Sequence, residues 1–113
     1  MLDFRRLHAW EKSHALAVEV CEFAVTVPMR YVRLADQLMS ASTSVPANLA
    51  EGSGRRTKPE RAQFFGYASG SASETEARIL IMRDLGLIEP TQAEAWCARI
   101  QEIRRMIQGL LRN

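Results

Sequence analysis

Apolar residues recur at steps of three and four along four separate segments of this 113-residue chain, and this spacing limits the fold more than any other feature. Such a spacing places the apolar side chains on one face of a helix, whereas a half-buried strand requires strict alternation. The repeating positions are Leu7, Trp10, Ala17, Val20, Cys21 and Ala24; Leu34, Leu38, Ala41, Val45 and Leu49; Phe64, Phe65, Ala68, Ala72, Thr75, Ile79 and Met82; and Ala93, Trp96, Ile100, Ile103, Ile107 and Leu110. The pattern predicts four amphipathic helices and no strand.

Prolines, glycines and capping residues separate these four segments. Pro28 predicts the first break, because proline disfavours a helical conformation in the residue before it. Thr57 and Glu60 form a capping box that opens the third helix, and Thr91 to Glu94 repeats this pattern before the fourth. Gly86 predicts the end of the third helix, with Leu87 making the contact of a Schellman cap. Short connections favour antiparallel neighbours, so we expect an all-α, antiparallel up-down-up-down four-helix bundle and a single domain over residues 1–113.

The segment from Ser44 to Arg55 interrupts this regular pattern. Pro46 lies inside the second helical pattern and predicts a kink or a restart, because it lacks an amide donor and clashes with the carbonyl of Ser42. Gly52 and Gly54 predict the end of the helix, since glycine tolerates the left-handed conformation that is common there.

Three polar residues near this segment are predicted to have structural roles. Asn48 lies one position before the apolar stripe, which indicates a partly buried amide with hydrogen-bond partners. Glu51 is expected to pair with Arg55 or to accept local amide bonds, and Glu74 is expected to face Asn48 across the bundle. Structural pairing is preferred over catalysis for both acids.

Basic residues cluster at the junction of the second and third helices. The formal charge of +2 is too small to predict nucleic-acid binding, but residues 55–61 and 99–112 each carry +3. The cluster consists of Arg55, Arg56, Lys58 and Arg61. One interpretation is that it binds phosphates, and the other is that it is a solvated corner or forms salt bridges between subunits. Arg104 and Arg105 complement the dipole of the fourth helix and need no ligand.

The third helix also has a line of small residues outside its core stripe. These are Gly66, Gly70, Ser73 and Ala77. Glycine inside a helix costs about 1 kcal/mol relative to alanine, so a close approach of other atoms is expected to compensate. The line is either packed tightly within one protomer or forms a subunit contact. Phe64 and Phe65 lie about 100° apart on the helix, so one of them is a candidate for an oligomer interface.

The sequence argues against an enzyme or a metal site. Glu11 and His14 have the spacing of a di-iron ligand pair, but the other histidine, His8, lies on the same helix. There is no Gly-x-Ser-x-Gly elbow and no phosphate loop. Catalytic residues, metal and cofactor are therefore predicted to be absent. No apolar run approaches the ~20 residues of a membrane span, and the first residues lack a secretory signal, so a cytoplasmic protein with no membrane partner is expected.

Several motifs together carry a resemblance to a known family. They are Phe4-x-x-Leu7-x-x-Trp10, Leu34-x-x-Gln37-Leu38, Ser44-Val45-Pro46-Ala47-Asn48-Leu49-Ala50-Glu51-Gly52-x-Gly54-Arg55, and Glu60-x-x-x-Phe64-x-x-x-Ala68-x-Gly70-Ser71-x-x-Glu74. The chain resembles the bacterial four-helix-bundle family first noted as reading frames in intervening sequences of 23S ribosomal RNA genes. Relatives of that family include accessory variability proteins of diversity-generating retroelements, which are strongly basic and bind nucleic acid.

The resemblance implies an antiparallel bundle that assembles with itself, in some members into a homopentameric ring. It also implies RNA, DNA or a nucleoprotein as a partner, although this chain is much less basic than the retroelement proteins. It supplies no catalytic residue. The alternative is a protein-interaction or self-assembly scaffold with no nucleic-acid role.

Overall fold

The computed structural model describes residues 3–113, which form four long helices. They are α1 (His8–Ala24), α2 (Val32–Ser53), α3 (Lys58–Asp84) and α4 (Pro90–Arg112). Short 3-10 helices at Phe4–Arg6 and Met29–Tyr31 precede α1 and α2. Helix α1 packs on α2 and α4, and α3 packs on the same two helices, within a body of 44 × 22 × 19 Å. No strand occurs in residues 3–113. The predicted all-α four-helix bundle is confirmed.

The apolar stripes of the four helices meet in one core. Leu38, Leu49, Ile79 and Ile107 expose none of their surface, and Val20 of α1 is equally buried. Burying a side chain of this size contributes about 1.5–3 kcal/mol, so the stripes supply the main stabilising term of the bundle.

A small polar layer crosses the middle of this core. The hydroxyls of Ser13, Ser42 and Thr75 are buried, and each donates a hydrogen bond to a carbonyl of its own helix, at 3.1, 3.1 and 2.7 Å. They line a cavity of about 10 Å³. That is close to the smallest space that holds one water molecule.

Helix α2 continues through Pro46, so of the predicted kink or restart the restart is wrong. The hydroxyls of Thr43 and Ser44 do not cap a new helix. They donate to carbonyls one turn earlier, those of Met39 and Ser40, at 2.7 Å each. Side-chain bonds of this kind occupy backbone acceptors inside a helix without breaking it.

Helix α3 is capped at both ends by the predicted residues, although the Glu60 carboxylate accepts from the Thr57 hydroxyl and not from the Thr57 amide as in the predicted capping box. At its start the Thr57 oxygen accepts from the amide of Glu60 at 3.3 Å, and the Thr57 hydroxyl donates to the Glu60 carboxylate at 2.9 Å. At its end Gly86 has φ 78°, and the amides of Gly86 and Leu87 donate to the carbonyls of Arg83 and Met82, at 2.9 Å each. This is the Schellman pattern.

Two other predicted helix boundaries differ from the structure in detail. Helix α2 ends at Ser53, directly before Gly54 as predicted, but Gly52 lies inside the helix and Gly54 has φ −86°, so the predicted left-handed cap is wrong. Helix α4 begins at Pro90, with Glu89 before it and no side-chain cap. Because proline suits the first helical position, the helix starts earlier than Thr91, which lies inside the first turn.

Candidate functional site

The topology of the bundle gathers basic residues at one end. The starts of α1 and α3 and the ends of α2 and α4 lie there, formed by residues 3–12, 49–65 and 102–113, which we call the basic end. This end contains ten arginine and lysine residues and five acidic residues, whereas the rest of the chain has a net charge of −3. The cations are Arg5, Arg6, Lys12, Arg55, Arg56, Lys58, Arg61, Arg104, Arg105 and Arg112.

A close approach of α2 and α3 positions the corner between them. A Cβ atom built on Gly52 would lie 2.8 Å from Cε1 of Phe65 and 3.1 Å from Cβ of Phe64. Such distances are too short for carbon atoms in contact, so only glycine allows this approach. The role of Gly52 is therefore to bring the helices together at the corner.

Arg55 is fixed against the protein surface on two sides. Its Nη2 donates to Oε2 of Glu51 at 2.9 Å, and its guanidinium carbon lies 4.7 Å from the centroid of the Phe64 ring. A cation over an aromatic face is attracted to it. The Nε atom is buried and has no hydrogen-bond partner within residues 3–113. The Glu51 pair predicted from the sequence is present.

Arg61 holds the loop that joins the two helices. Its Nη1 donates to the carbonyl oxygens of Arg55 at 3.2 Å and of Arg56 at 3.0 Å. These bonds connect the first turn of α3 to the chain leaving α2. The loop thereby has a defined shape, and the charge of Arg61 is held close to it.

Arg56 and Lys58 are the cations of the corner that remain free. Both are exposed, and neither side chain forms a hydrogen bond or an ion pair in the part of the chain that the structure describes. The nearest acid in sequence, Glu60, accepts from Thr57. These two side chains are available to a ligand, while Arg55 and Arg61 shape the corner.

Acidic neighbours engage some of the other cations at this end. Arg5 donates to both carboxylate oxygens of Asp3 at 3.1 Å, and this hydrogen bonding lowers the pKa of Asp3 below its ordinary value. Lys12 pairs with Glu102 at 3.2 Å. Arg104 lies 3.7 Å from Glu76. The exposed cations of the basic end that have no such pair with any of residues 3–113 are Arg6, Arg56, Lys58, Arg105 and Arg112.

A pocket opens between the corner, the start of α1 and the end of α4. Its volume is about 410 Å³. The lining residues are Leu7, Ser53, Arg55, Arg56, Arg61, Phe65 and Leu110. None of the carboxylates in residues 3–113 lines it. Sequence reasoning missed this pocket, because its walls come from three distant parts of the chain.

The line of small residues on α3 lies on the outside of the bundle. Gly66, Gly70, Ser73 and Ala77 are exposed, and a Cβ atom on either glycine would meet nothing within 4 Å. Tight packing within one protomer is therefore the wrong interpretation of this line.

The two phenylalanines of α3 separate as their spacing requires. Phe65 is 8% exposed and belongs to the core of the protomer, so placing it in an oligomer interface is wrong. Phe64 is half-buried and packs edge to face with Tyr67 at 5.6 Å between ring centroids. Of the pair, Phe64 alone remains a candidate for a subunit contact.

Glu74 and Asn48 do not meet across the bundle as predicted. Glu74 accepts from Nε of Arg78 at 2.8 Å, and Nη1 of Arg78 donates to Gln37 at 2.9 Å, which links α3 to α2. Asn48 is half-buried and donates to the carbonyl of Ser44 at 2.8 Å. Both residues have structural partners, although not each other.

His14 and Cys97 have structural surroundings. His14 stacks on Trp10, with 4.7 Å between ring centroids. Burial raises the pKa of the Cys97 thiol above its ordinary value. No group of three or more His, Cys, Asp or Glu side chains in residues 3–113 could hold a metal ion. None of the helices described here is both long and apolar enough to cross a membrane.

The fold and its basic end define a class of small helical-bundle protein, and comparison with known proteins identifies the family. The sequence model of the 23S rRNA-intervening sequence protein family matches residues 5–109, so the chain belongs to this family. It is also similar to the crystal structure of a protein of unknown function from the S23 ribosomal protein family of Bacteroides thetaiotaomicron. The TM-score is 0.86 at 19% identity, covering 93% of this chain and 96% of the other. No curated protein matches the chain.

Proposed function

We propose that this protein is a non-enzymatic homo-oligomer that binds RNA or DNA, free or within a nucleoprotein, through its basic end. The observation that carries the proposal is the excess of ten basic over five acidic residues at that end. Helix dipoles do not account for this excess of basic residues, because two helix starts and two helix ends meet at the basic end and their partial charges cancel. A phosphate backbone is the ligand that such a field attracts.

The structure refines which side chains would contact phosphates. Arg56 and Lys58 project from the corner and have no partner among residues 3–113, whereas Arg55 and Arg61 are engaged by the protein. A single protomer offers few contacts, so its affinity would be weak. A ring of copies, pentameric by family resemblance, would present several such ends to one strand and raise the affinity by avidity. We place this activity in the cytoplasm.

Reversing charge at the two ends of the bundle tests the proposal. Arg56→Glu with Lys58→Glu removes two attractive charges and adds two repulsive ones at the basic end. Binding of a fluorescent single-stranded RNA, measured by anisotropy at low salt, should weaken about a hundredfold. The slope of log affinity against log salt should also become shallower by about 1.4, since each phosphate contact with a single strand contributes about 0.7.

The matched control is Arg30→Glu with Arg33→Glu, which makes the same charge change on exposed residues at the opposite end. This variant should bind within about twofold of wild type, because charges farther away than a Debye length of ~10 Å are screened. Equal losses in both double variants, or no RNA or DNA binding by the wild-type protein, would rule the proposal out.

Self-assembly without a nucleic-acid role is the second candidate, and the open face of α3 favours it. Gly66 and Gly70 lower the stability of α3, and among residues 3–113 no close contact at these glycines compensates for it. Across the bundle, a groove of about 480 Å³ between α1 and α2 is lined by apolar side chains such as Trp10, Val18 and Pro46. Two unlike faces of this kind suit a head-to-tail contact that closes into a ring.

Light scattering of Gly70→Leu tests the role of this face. We expect the variant to lose the oligomer while remaining folded, because leucine favours a helix more than glycine but fills the contact surface. Gly109→Leu is the control, since this exposed glycine of α4 also meets nothing within 4 Å. A wild-type monomer, or an oligomer that survives Gly70→Leu, would count against assembly through this face.

A further inference from the structure

The pocket at the basic end combines cationic and apolar walls, which suggests a ligand with both characters. Arg55, Arg56 and Arg61 line one part of it. Leu7, Phe65 and Leu110 line another. We propose that this pocket binds one nucleotide carrying a phosphate monoester, with the phosphate at the arginines and the base against the apolar side chains. The nucleotide is either free or the 5′-terminal residue of a single strand. In the second case the proposal rests on the nucleic-acid binding proposed above.

The size of the pocket suits one nucleotide better than a longer ligand. Its volume of about 410 Å³ lies within the range of small-molecule sites, about 300–1,000 Å³. A double helix cannot enter a space of this size, so a duplex would contact only its rim. A terminal or free nucleotide can place both its base and its phosphate inside.

Two of the three arginines are already held in position. Two carbonyl oxygens fix Arg61, while Glu51 and the Phe64 ring fix Arg55. Side chains that are ordered before binding lose less entropy when a ligand arrives. Arg56 is exposed and unpaired among residues 3–113, so it can close on the phosphate.

The local charge favours a phosphate monoester over the diester inside a strand. A monoester carries a charge of about −1.5 to −2 at neutral pH and has three acceptor oxygens. Within the described part of the chain no carboxylate lines the pocket, and the two nearby acids of the corner, Glu51 and Glu60, are occupied by Arg55 and Thr57.

The apolar walls explain why the ligand includes a base. Leu7 precedes α1, Phe65 belongs to α3, and Leu110 belongs to the last turn of α4. An inorganic phosphate would leave the half-buried side chains of Leu7 and Leu110 facing water. A nucleobase covers them with an apolar face, and removing such surface from water is favourable.

A 5′-phosphate test separates pocket binding from general attraction to the basic end. We would compare two 3′-labelled RNA decamers that differ only in a 5′-phosphate or a 5′-hydroxyl, by anisotropy at low salt. The wild-type protein should bind the phosphorylated strand about tenfold more tightly, as expected for charge-assisted bonds to a phosphate. Arg56→Gln should reduce this ratio to about one.

Lys58→Gln is the matched control for that variant. It removes the same charge from an exposed residue of the same corner, but Lys58 does not line the pocket. The control should weaken binding of both strands and keep the tenfold ratio. If both variants change the ratio equally, the terminal phosphate is attracted by the field of the corner and the pocket proposal fails.

Calorimetry with free nucleotides distinguishes the two sources of the ligand. Adenosine monophosphate should bind the wild-type protein more tightly than adenosine, and Arg56→Gln should abolish the difference. If this holds while the 5′-phosphate adds nothing on a strand, the pocket takes free nucleotides. If the decamer with a 5′-hydroxyl binds, but neither the 5′-phosphate of the decamer nor the phosphate of adenosine monophosphate improves binding, only the pocket proposal is wrong. If neither strand binds but the monophosphate does, only the nucleic-acid proposal is wrong.

Discussion

The two ends of the bundle have the same backbone arrangement but opposite surface character. Each end contains two helix starts and two helix ends, so the helix dipoles contribute alike. The basic end carries ten cations against five acids, whereas residues 24–36 and 80–96 at the other end carry three against four. That other end instead exposes apolar side chains, with Met29 at 81% and Val25 at 75% exposure. The two ends therefore differ in their side chains and not in their backbone arrangement, so a function specific to one end depends on its side chains.

The junctions at the two ends also use glycine for different physical reasons. Gly52 permits a close approach between α2 and α3, while Gly86 adopts a left-handed conformation that ends α3. Gly52 is required because there is no space for a side chain, and Gly86 is required because of its backbone conformation. Substitutions at the two positions can distinguish these requirements.

The largest expected effect on stability comes from these two glycines. Gly52→Ala should destabilise the protein by about 1–3 kcal/mol, because the new Cβ would press on the Phe65 ring. Gly86→Ala should cost about 1–2 kcal/mol through backbone strain, with no atom within 4 Å to clash. Urea denaturation of the purified variants measures both.

Asparagine at the same positions sharpens this comparison. It tolerates the left-handed conformation, so Gly86→Asn should be more stable than Gly86→Ala. At position 52 its larger side chain should make the variant less stable than Gly52→Ala. If the alanine and asparagine variants have the same order of stability at both positions, the two junctions do not differ as described.

The smallest expected effect concerns the acid that pairs with Arg5. Asp3→Asn removes one carboxylate from the basic end and frees the Arg5 guanidinium, so RNA binding should tighten about twofold at low salt. Stability at neutral pH should not change measurably, because an exposed pair of this kind contributes little. Asp36→Asn, an exposed acid at the opposite end, is the control and should leave RNA binding unchanged.

The Asp3 pair also predicts a pH dependence with a definite sign. Its pKa is lowered in the folded chain by the hydrogen bonds from Arg5. The small stabilisation from the pair is therefore present at neutral pH and is lost only as the pH falls through the lowered pKa, below the ordinary value of 3.8. Anisotropy at decreasing pH compares RNA binding by Asp3→Asn and by wild type. The twofold difference in affinity should persist at neutral pH and vanish only once the pH falls through the lowered pKa of Asp3, where the wild-type carboxyl also loses its charge.

Features set by neighbouring residues could be predicted from the sequence. The apolar spacing identified all four helices, and the caps at Thr57 and Gly86 follow from residues within one turn. The errors arose where another local arrangement was equally available. Pro90 starts α4 before Thr91 can cap it, and hydroxyl bonds to backbone carbonyls accompany α2 past Pro46 without a restart.

Features that depend on distant residues could not be predicted. The need for glycine at position 52 depends on Phe65 of the next helix, and the pocket depends on Leu7 and Leu110 at opposite ends of the chain. The two stretches of charge +3 were visible in the sequence, but their meeting at one end follows from the direction of each helix.

Hydrogen exchange with and without bound single-stranded RNA tests most directly whether the basic end is the functional surface. We expect RNA to slow exchange in residues 54–62 and in the first turn of α1, and to leave residues 25–33 and 84–92 unchanged. The Arg56→Glu, Lys58→Glu variant should lose this protection under the same conditions. Protection confined to residues 25–33 and 84–92 would contradict the assignment and place nucleic-acid binding at the opposite end of the bundle.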